Sequence, residues 1–428
     1  MIDFRGPHPL LGIMSERDAP ANRIPKGFRP EPFAYHQEIE LEIETLTNMG
    51  QGLGRIDGWV IMVRYALPGE RIRARVYRND KNFSEADLVE VLSPAPERIE
   101  PPCPVFGQCG GCQYQHFDYD AQLVWKTRQV RELLQHMVGI DAEVLPAIPS
   151  PKRYGYRSKL TPHFPKPKKD TPITIGFLRQ GSRSRYVEIE RCPLISEAMN
   201  ETLNNLRDET RQKHAEKPFK KGATLLIREH LDGVSTDPKA IIQERVGDIV
   251  FSFPAGEFFQ NNPSILESFT RYVGDKAASG GARHLVDAYC GSGLFCLTAA
   301  DRFEEAVGVE VSEQSVAYAS KNAEANGIAN ARFVLGDAAS IFERIEFPGE
   351  DSAVIIDPPR KGSNENFLRQ LIDFGPSKIV YVSCNPATQM RDLRVLLAGG
   401  YSIEEAQPFD LFPQTKHLEC IVTLSKGA

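Results

Sequence analysis

Cys384 stands in Ser383-Cys384-Asn385-Pro386, directly after the apolar run 378–382. Such a run reads as a buried strand, and an open α/β sheet carries its chemistry at the C-terminal ends of its strands. Thirty-five residues later Glu419 lies in His417-Leu418-Glu419-Cys420, beside a second apolar run, 421–424. Upstream is a nucleotide-type glycine loop, Asp287-Ala-Tyr-Cys-Gly-Ser-Gly293. A thiol, a carboxylate and a cofactor loop in one α/β region suggest covalent catalysis on a bound substrate. Cys384 taken alone reads as a small buried hydrophobe; its companions favour the chemical role.

These groups need a sheet to position them. From about residue 262 onward strand and helix alternate: strands at 284–289, 306–310, 331–335, 353–356 and 378–382, with helices opening at 293–301 and 312–326. Ser312 suits the N-cap of the second helix and Gly327 its C′ position. The rhythm predicts a doubly wound, mostly parallel Rossmann-like sheet with its site at the strand C-termini. The first loop is not G-x-G-x-x-G, and it lacks the third glycine that favours pyrophosphate. Glu310, twenty-three residues after Asp287, ends the second strand, where an acidic side chain suits the two hydroxyls of a ribose. Gly336-Asp337 ends the third strand and can face an adenine, and Asp357-Pro-Pro-Arg360 ends the fourth. In this order they fit S-adenosylmethionine better than a dinucleotide.

The 428 residues allow two or three domains, and 41% hydrophobic with 25% charged residues describes an ordinary globular protein. No apolar run is long enough to span a membrane, and residues 1–35 read as a loose extension without a secretory signal, so a cytoplasmic, monomeric protein is expected. Short strands at 38–46, 59–63, 71–77 and 83–91, with a glycine-rich turn at 49–54, predict an OB-type β-barrel over residues 36–93. A proline-rich linker and a helix at 118–137 open a mixed central domain, 94–255, with strands near 156–163, 173–178 and 224–229; the transferase-like domain takes 256–428. The net charge of −6 carries no signal for a partner, but residues 151–191 hold eleven Lys and Arg against three acids, a local +8 that suits a polyanion.

The eight cysteines, without an export signal, do not read as a disulfide framework. Cys103, Cys109 and Cys112 lie close together and Cys192-Pro193 comes far downstream. Three near thiols and one remote thiol can hold zinc or an iron–sulfur cluster.

Phe258-Phe-Gln-Asn-Asn262, the loop 287–293, Asp357-Pro-Pro-Arg-Lys-Gly362, Ser383-Cys-Asn-Pro386 and His417-Leu-Glu419 together resemble the RNA 5-methyluridine methyltransferase family, over roughly residues 36–428. The resemblance implies that the barrel is a TRAM domain and that Gln260, Tyr289, Glu310 and Asp357 contact S-adenosylmethionine, with Asp337 a further cofactor position. It assigns Cys384 as nucleophile and Glu419 as base, and it implies a 4Fe–4S cluster on Cys103, Cys109, Cys112 and Cys192, accompanied by Gln113-x-Gln115-His116. Leu294 departs from the family, where asparagine is common after the glycine loop.

The implied partner is structured RNA. The cysteine cluster resembles that of the ribosomal-RNA enzymes, whereas the run 409–415 and the glycine loop look closer to transfer-RNA enzymes. Two other readings compete: a methyltransferase acting on another base, since Asp-Pro-Pro also occurs there, and an RNA-binding or RNA-folding protein without turnover. Cys384 and Glu419 weigh against both, because amino methylation needs no covalent addition and binding needs neither group.

Overall fold

A computed structural model describes residues 24–167, 171–336 and 341–427. The first unit is a six-stranded barrel-like sheet: β1 (Glu38–Glu42), β2 (Thr45–Leu46), β3 (Gln51–Ile56), β4 (Trp59–Arg64), β5 (Arg71–Asn79) and β6 (Phe83–Ser93), in the order β1-β5-β6-β4-β3-β2. Strict alternation in β1 turns Ile39 and Leu41 into a core shared with Ile61, Val63, Ile72 and Val76. The expected strand 38–46 is two strands because the chain changes partner there: β1 pairs with β5 and β2 with β3. The glycine-rich turn expected at 49–54 is a turn only at its start. Gly52 and Gly54 lie inside β3, where a Cβ would come within 2.7 Å of the Ala66 carbonyl oxygen and 2.1 Å of that of Glu42. Close backbone approach, not turning, requires glycine here.

Glu70 ties the barrel to the start of the central region. Fully buried, it takes Arg98 Nε at 2.5 Å and Nη2 at 2.8 Å, and the same Nη2 donates to the Tyr65 carbonyl at 2.7 Å. Helix α1 (Tyr119–Leu133) then starts at the Asp118 cap, whose carboxylate accepts the Asp120 and Ala121 N–H groups. The central region holds short antiparallel strands: β7 (Lys159–Leu160), β8 (His163–Phe164), β9 (Gly176–Leu178), β10 (Tyr186–Glu188), β11 (Ala223–Thr224), β12 (Ile227–His230) and β13 (Gly233–Ser235). They form two small sheets, β10-β9-β8-β11 and β13-β12-β7. Between them runs the twenty-residue α2 (Glu197–Glu216), capped by Ser196 and burying Met199 and Leu203, a helix absent from the sequence reading.

A hairpin, β14 (Ile241–Val246) and β15 (Ile249–Pro254), docks on the last unit: Asn326 and Asn322 side chains accept the Val250 and Ser252 N–H groups at 2.9 and 2.8 Å. Its Ile242, Phe251 and Phe253 join the core of α3 (Pro263–Ala278), so this core begins before residue 256. The main sheet is built from β16 (His284–Ala288), α4 (Leu294–Ala299), β17 (Glu305–Glu310), α5 (Glu313–Ala325), β18 (Ala331–Leu335), β19 (Ser352–Ile356), α6 (Glu365–Phe374), β20 (Lys378–Ser383), α7 (Pro386–Ala398), β21 (Tyr401–Phe409) and β22 (Glu419–Lys426). Its order is β18-β17-β16-β19-β20-β22-β21. The first five run parallel, and β22 lies antiparallel between β20 and β21. β19 and β20 are buried along their whole length, as strands covered on both faces must be.

Lys126 of α1 reaches across the molecule to Asp410, with Nζ 2.6 Å from Oδ1 and both side chains essentially inaccessible to solvent. Lys126→Met leaves that carboxylate buried and alone, which costs about 3–5 kcal/mol. We expect a fall in Tm of about 10 °C, with much of it restored in Lys126→Met/Asp410→Leu; an unchanged Tm in the single variant refutes a structural role for the pair.

Candidate active site

The candidate catalytic groups meet because of strand register. β20 and β22 end their pairing with Ser383 opposite Cys420, so Cys384 and Glu419 are the next residues on adjacent, oppositely running strands. Gln389 of α7 clamps both ends, donating through Nε2 to the Tyr381 and Cys420 carbonyls at 2.9 Å each. Asp357, at the end of β19, flanks Cys384 from the other side of β20. All three line one cleft of about 1260 Å³.

Electrostatics in this cleft are strained towards neutral forms. Burial, then the charges of Glu419 and Asp357, pushes the Cys384 thiol up to about 12, and Arg360 pulls the other way. Burial lifts Asp357 to about 7. Glu419 is driven well above the carboxylate range by burial first and by Asp357 next, again opposed by Arg360. Arg360 is thus the counter-charge of the site, a role the sequence reading did not give it. Its loop is strapped down by the turn that carries Cys384: Asn385 Nδ2 and Thr388 Oγ1 donate to the Arg360 carbonyl at 3.0 and 3.2 Å. Asp392 accepts the Ser363 N–H at 2.8 Å and the Tyr381 hydroxyl at 2.6 Å. His417 is half-buried in the cleft, and burial reinforced by Arg360 and Lys416 brings it down to about 4, a neutral imidazole.

The glycine loop sits at the other lobe of the same cleft. Tyr289 is left-handed at φ 70°, an unusual state for a bulky residue, and its N–H and that of Cys290 both donate to the Val309 carbonyl at 3.1 Å. Gly291 and Gly293 are also left-handed, and a Cβ on Gly291 would meet nothing within 4 Å, so the loop faces open space. Glu310 accepts the N–H groups of Gly291, Val311 and Ser312 at 3.1, 2.8 and 3.0 Å, locking the strand end against the loop. Asp287 accepts the Cys296 N–H at 2.8 Å from within the core and so holds the loop from below. Gln260 is buried at the cleft wall; its neighbours are anchored by Asn262, whose Nδ2 donates to Ser150 Oγ and the Leu411 carbonyl at 3.0 Å each. Gln260, Tyr289, Glu310 and Asp357 therefore share one cleft with Cys384 and Glu419. Asp337 lies outside the described residues. Leu294 lines the cleft as the first residue of α4.

Cys103, Cys109, Cys112 and Cys192 line the same cleft. Among the described residues, no group of three or more His, Cys, Asp or Glu side chains is set to hold a metal ion, so the expectation of metal ligation here is not met as an ion site. The four thiols nevertheless act electrostatically on one another, and backbone N–H groups stand beside three of them: Val105 and Phe106 at Cys103, Gly111 at Cys109 and Leu194 at Cys192. The sequence separation of this cluster from the catalytic motifs is also misleading. The N–H groups of Gln113 and Tyr114 both donate to the Gln414 carbonyl, at 3.1 and 3.0 Å, and Gln113 Oε1 accepts the Lys416 N–H at 3.2 Å. The cysteine loop thereby braces the segment that leads into Glu419.

A TRAM-domain sequence pattern matches residues 36–89. This barrel, the glycine-loop sheet and the paired strand ends define a class, the S-adenosylmethionine-dependent RNA (uracil-C5)-methyltransferases. The tRNA (Uracil-5-)-methyltransferase pattern matches residues 237–427. A Schizosaccharomyces pombe protein named tRNA (uracil(54)-C(5))-methyltransferase is 43% identical, over 92% of this chain and 79% of the relative. A Saccharomyces cerevisiae protein of the same name is 33% identical, over 93% and 75%. The crystal structure of Pyrococcus abyssi tRNA (uracil-54, C5)-methyltransferase with S-adenosyl-L-homocysteine shares the fold, with a TM-score of 0.70 over 90% of this chain and 100% of that one at 24% identity. The chain belongs to the tRNA (uracil-5-)-methyltransferase family. No helix among the described residues is long and apolar enough to cross a membrane.

Proposed function

We propose that the chain forms 5-methyluridine in tRNA, at the uridine that its relatives' names number 54, through a covalent adduct between Cys384 and uracil C6. The observation that carries this reading is the adjacency of Cys384 and Glu419 at neighbouring strand ends, in the cleft that also holds the glycine loop. Uracil C5 is too weak a nucleophile to take a methyl group unaided. Attack of the Cys384 sulfur on C6 forms an S–C6 bond and pushes the C5=C6 electron pair towards O4, making C5 carbanion-like. S-adenosylmethionine, held by Gln260, Tyr289, Glu310 and Asp357, supplies an electrophilic methyl when bound. Glu419 then takes the C5 proton, the C–H electrons restore C5=C6, and the S–C6 bond breaks to return the thiolate. Arg360 sits where its positive charge favours both the Cys384 thiolate and the Glu419 carboxylate.

Nucleoside analysis of tRNA and rRNA from a strain lacking the gene tests the substrate. 5-Methyluridine should vanish from tRNA and persist in rRNA; the reverse pattern makes this an rRNA enzyme.

Burial lifts the Asp357 carboxyl to about 7, so below that pH it holds its proton. S-adenosylmethionine, a cation that Asp357 helps to hold in this reading, should therefore bind more tightly as pH rises from 6 to 8, with a bend near 7, and Asp357→Asn should erase the bend. A flat wild-type profile over that interval rules out this role for the Asp357 carboxyl.

The four clustered cysteines are read as ligands of a 4Fe–4S cluster. In such a cluster each thiolate binds its own iron, so the sulfurs need not converge on one point as they must around zinc. The backbone N–H groups beside Cys103, Cys109 and Cys192 suit thiolate ligands, and the cluster would supply a rigid cross-link between the loops of Cys112 and Cys192. Anaerobically purified protein should contain iron rather than zinc. The transferase unit is taken to include the β14–β15 hairpin.

A further inference from the structure

The wall of the cleft that carries Gln260 is held by the central region. Residues 256–261 lie between β15 and α3, and Glu257, Phe258, Phe259, Gln260 and Asn261 line the cleft. Phe258 is 74% exposed there, whereas Gln260 is buried and Phe259 is sunk onto Phe253, their rings stacked at 4.4 Å. Strands β7 and β12 and the residue just before β7 anchor this wall. Lys159 Nζ donates to the Gly256 and Glu257 carbonyls at 2.7 and 2.9 Å. The Ser158 N–H donates to the Asn261 carbonyl at 2.9 Å, and the Ser158 carbonyl accepts the Glu229 N–H at 2.8 Å. Arg228 stands opposite Lys159 in the β7–β12 pairing. Its guanidinium lies over the Phe253 ring, 5.3 Å from the centroid, and brings Nη1 to 3.5 Å from Asn261 Oδ1.

Arginine is a costly residue at this position. Arg228 is fully buried, and its Nε and Nη2 meet no acceptor among the described residues. Glu244 of β14 acts on it as a counter-charge, yet Oε1 of that buried carboxyl is itself without a donor. A buried cation so poorly paired is less favourable than an apolar side chain of similar volume. Stability therefore does not account for an arginine here. Its contacts with the wall do: it backs the Phe253–Phe259 stack from one side and reaches the Asn261 side chain on the other.

We propose that Arg228 and Lys159 are positioning residues for the cofactor: from the central region they fix the 256–261 wall so that Gln260 meets S-adenosylmethionine. Neither residue touches the reacting atoms. This rests on the reading above that gives Gln260 to the cofactor.

The test is calorimetric binding of S-adenosylmethionine without RNA, beside tRNA affinity, Tm and steady-state kinetics. Lys159→Met should weaken cofactor binding about tenfold, raising KM for S-adenosylmethionine while kcat stays near wild type. Its ammonium is already engaged by two carbonyls, so tRNA affinity should hold. Arg228→Met should behave alike, with Tm at or above the wild-type value. In an Asn261→Ala background, adding Arg228→Met should bring little further loss, because the two act through one contact. Arg245→Met, on an exposed position of β14, should match wild type. Lys159 is only half-buried, so its variant keeps the test decisive even where Arg228→Met folds poorly. Wild-type cofactor affinity in Lys159→Met, with Gln260→Ala weakened, overturns the proposal. So do parallel losses of cofactor and tRNA affinity with a lowered Tm, the mark of a merely structural role. A Gln260→Ala variant that binds S-adenosylmethionine as wild type does overturns the underlying assignment instead.

Discussion

Cys384→Ala should lose methyl transfer entirely while keeping tRNA affinity. The substitution removes the only atom that adds to C6 in this reading and takes away no cation that could meet RNA phosphates. Without addition C5 stays unreactive, and the residual rate should sit at background, a loss of many orders of magnitude rather than a partial defect. RNA containing 5-fluorouridine makes the step visible. Fluorine at C5 cannot leave as a proton, so wild type, supplied with S-adenosylmethionine, should stop as a covalent protein–RNA species that survives denaturing gels. Cys384→Ala should give none. A wild type that forms no such species, or a variant that still does, would falsify the adduct. Because Cys384 is half-buried at the end of a strand whose other residues are fully buried, the small alanine should leave Tm nearly unchanged.

Glu419→Gln should fail one step later. Addition of the thiolate and methylation of C5 do not need a base, whereas release of the product does. Ordinary tRNA, which passes through wild type, should therefore accumulate as a methylated strand bonded to the variant. The amide keeps the shape of the carboxyl at a site that is 3% exposed, so folding is not at issue. It also removes a negative charge that raises the Cys384 thiol, so the first step should not slow. Turnover of Glu419→Gln at the wild-type rate would take the base role from Glu419 and leave Asp357 as the nearest candidate.

The sequence brings out Cys384 and Glu419 as candidates because both sit at the ends of apolar runs, and an α/β sheet exposes its strand ends. It shows the cofactor loop for the same reason. It does not show Arg360 as the counter-charge, because that role depends on Asn385 and Thr388 capturing a carbonyl from another loop. Nor does it show that Gln113 and Gln414 are bonded, since about three hundred residues separate them and neither lies in a periodic pattern. β21 escapes notice because Glu404, Glu405 and Pro408 break its apolar character, which an edge strand tolerates. Gly52 and Gly54 look like turn residues because glycine marks both turns and crowded backbones, and only the neighbouring strand decides which.

The placement of β22 sets an order of assembly. It is the last of the seven strands to leave the ribosome, yet it fills an interior slot between β20 and β21. Until it arrives, β20 and β21 lack the strand that joins them, and Cys384 has no Glu419 beside it. The barrel and central region, made first, hold Gln113 and Gln122 ready to receive Gln414 and steer the incoming strand. Insertion of this one strand both closes the core and brings Glu419 beside Cys384.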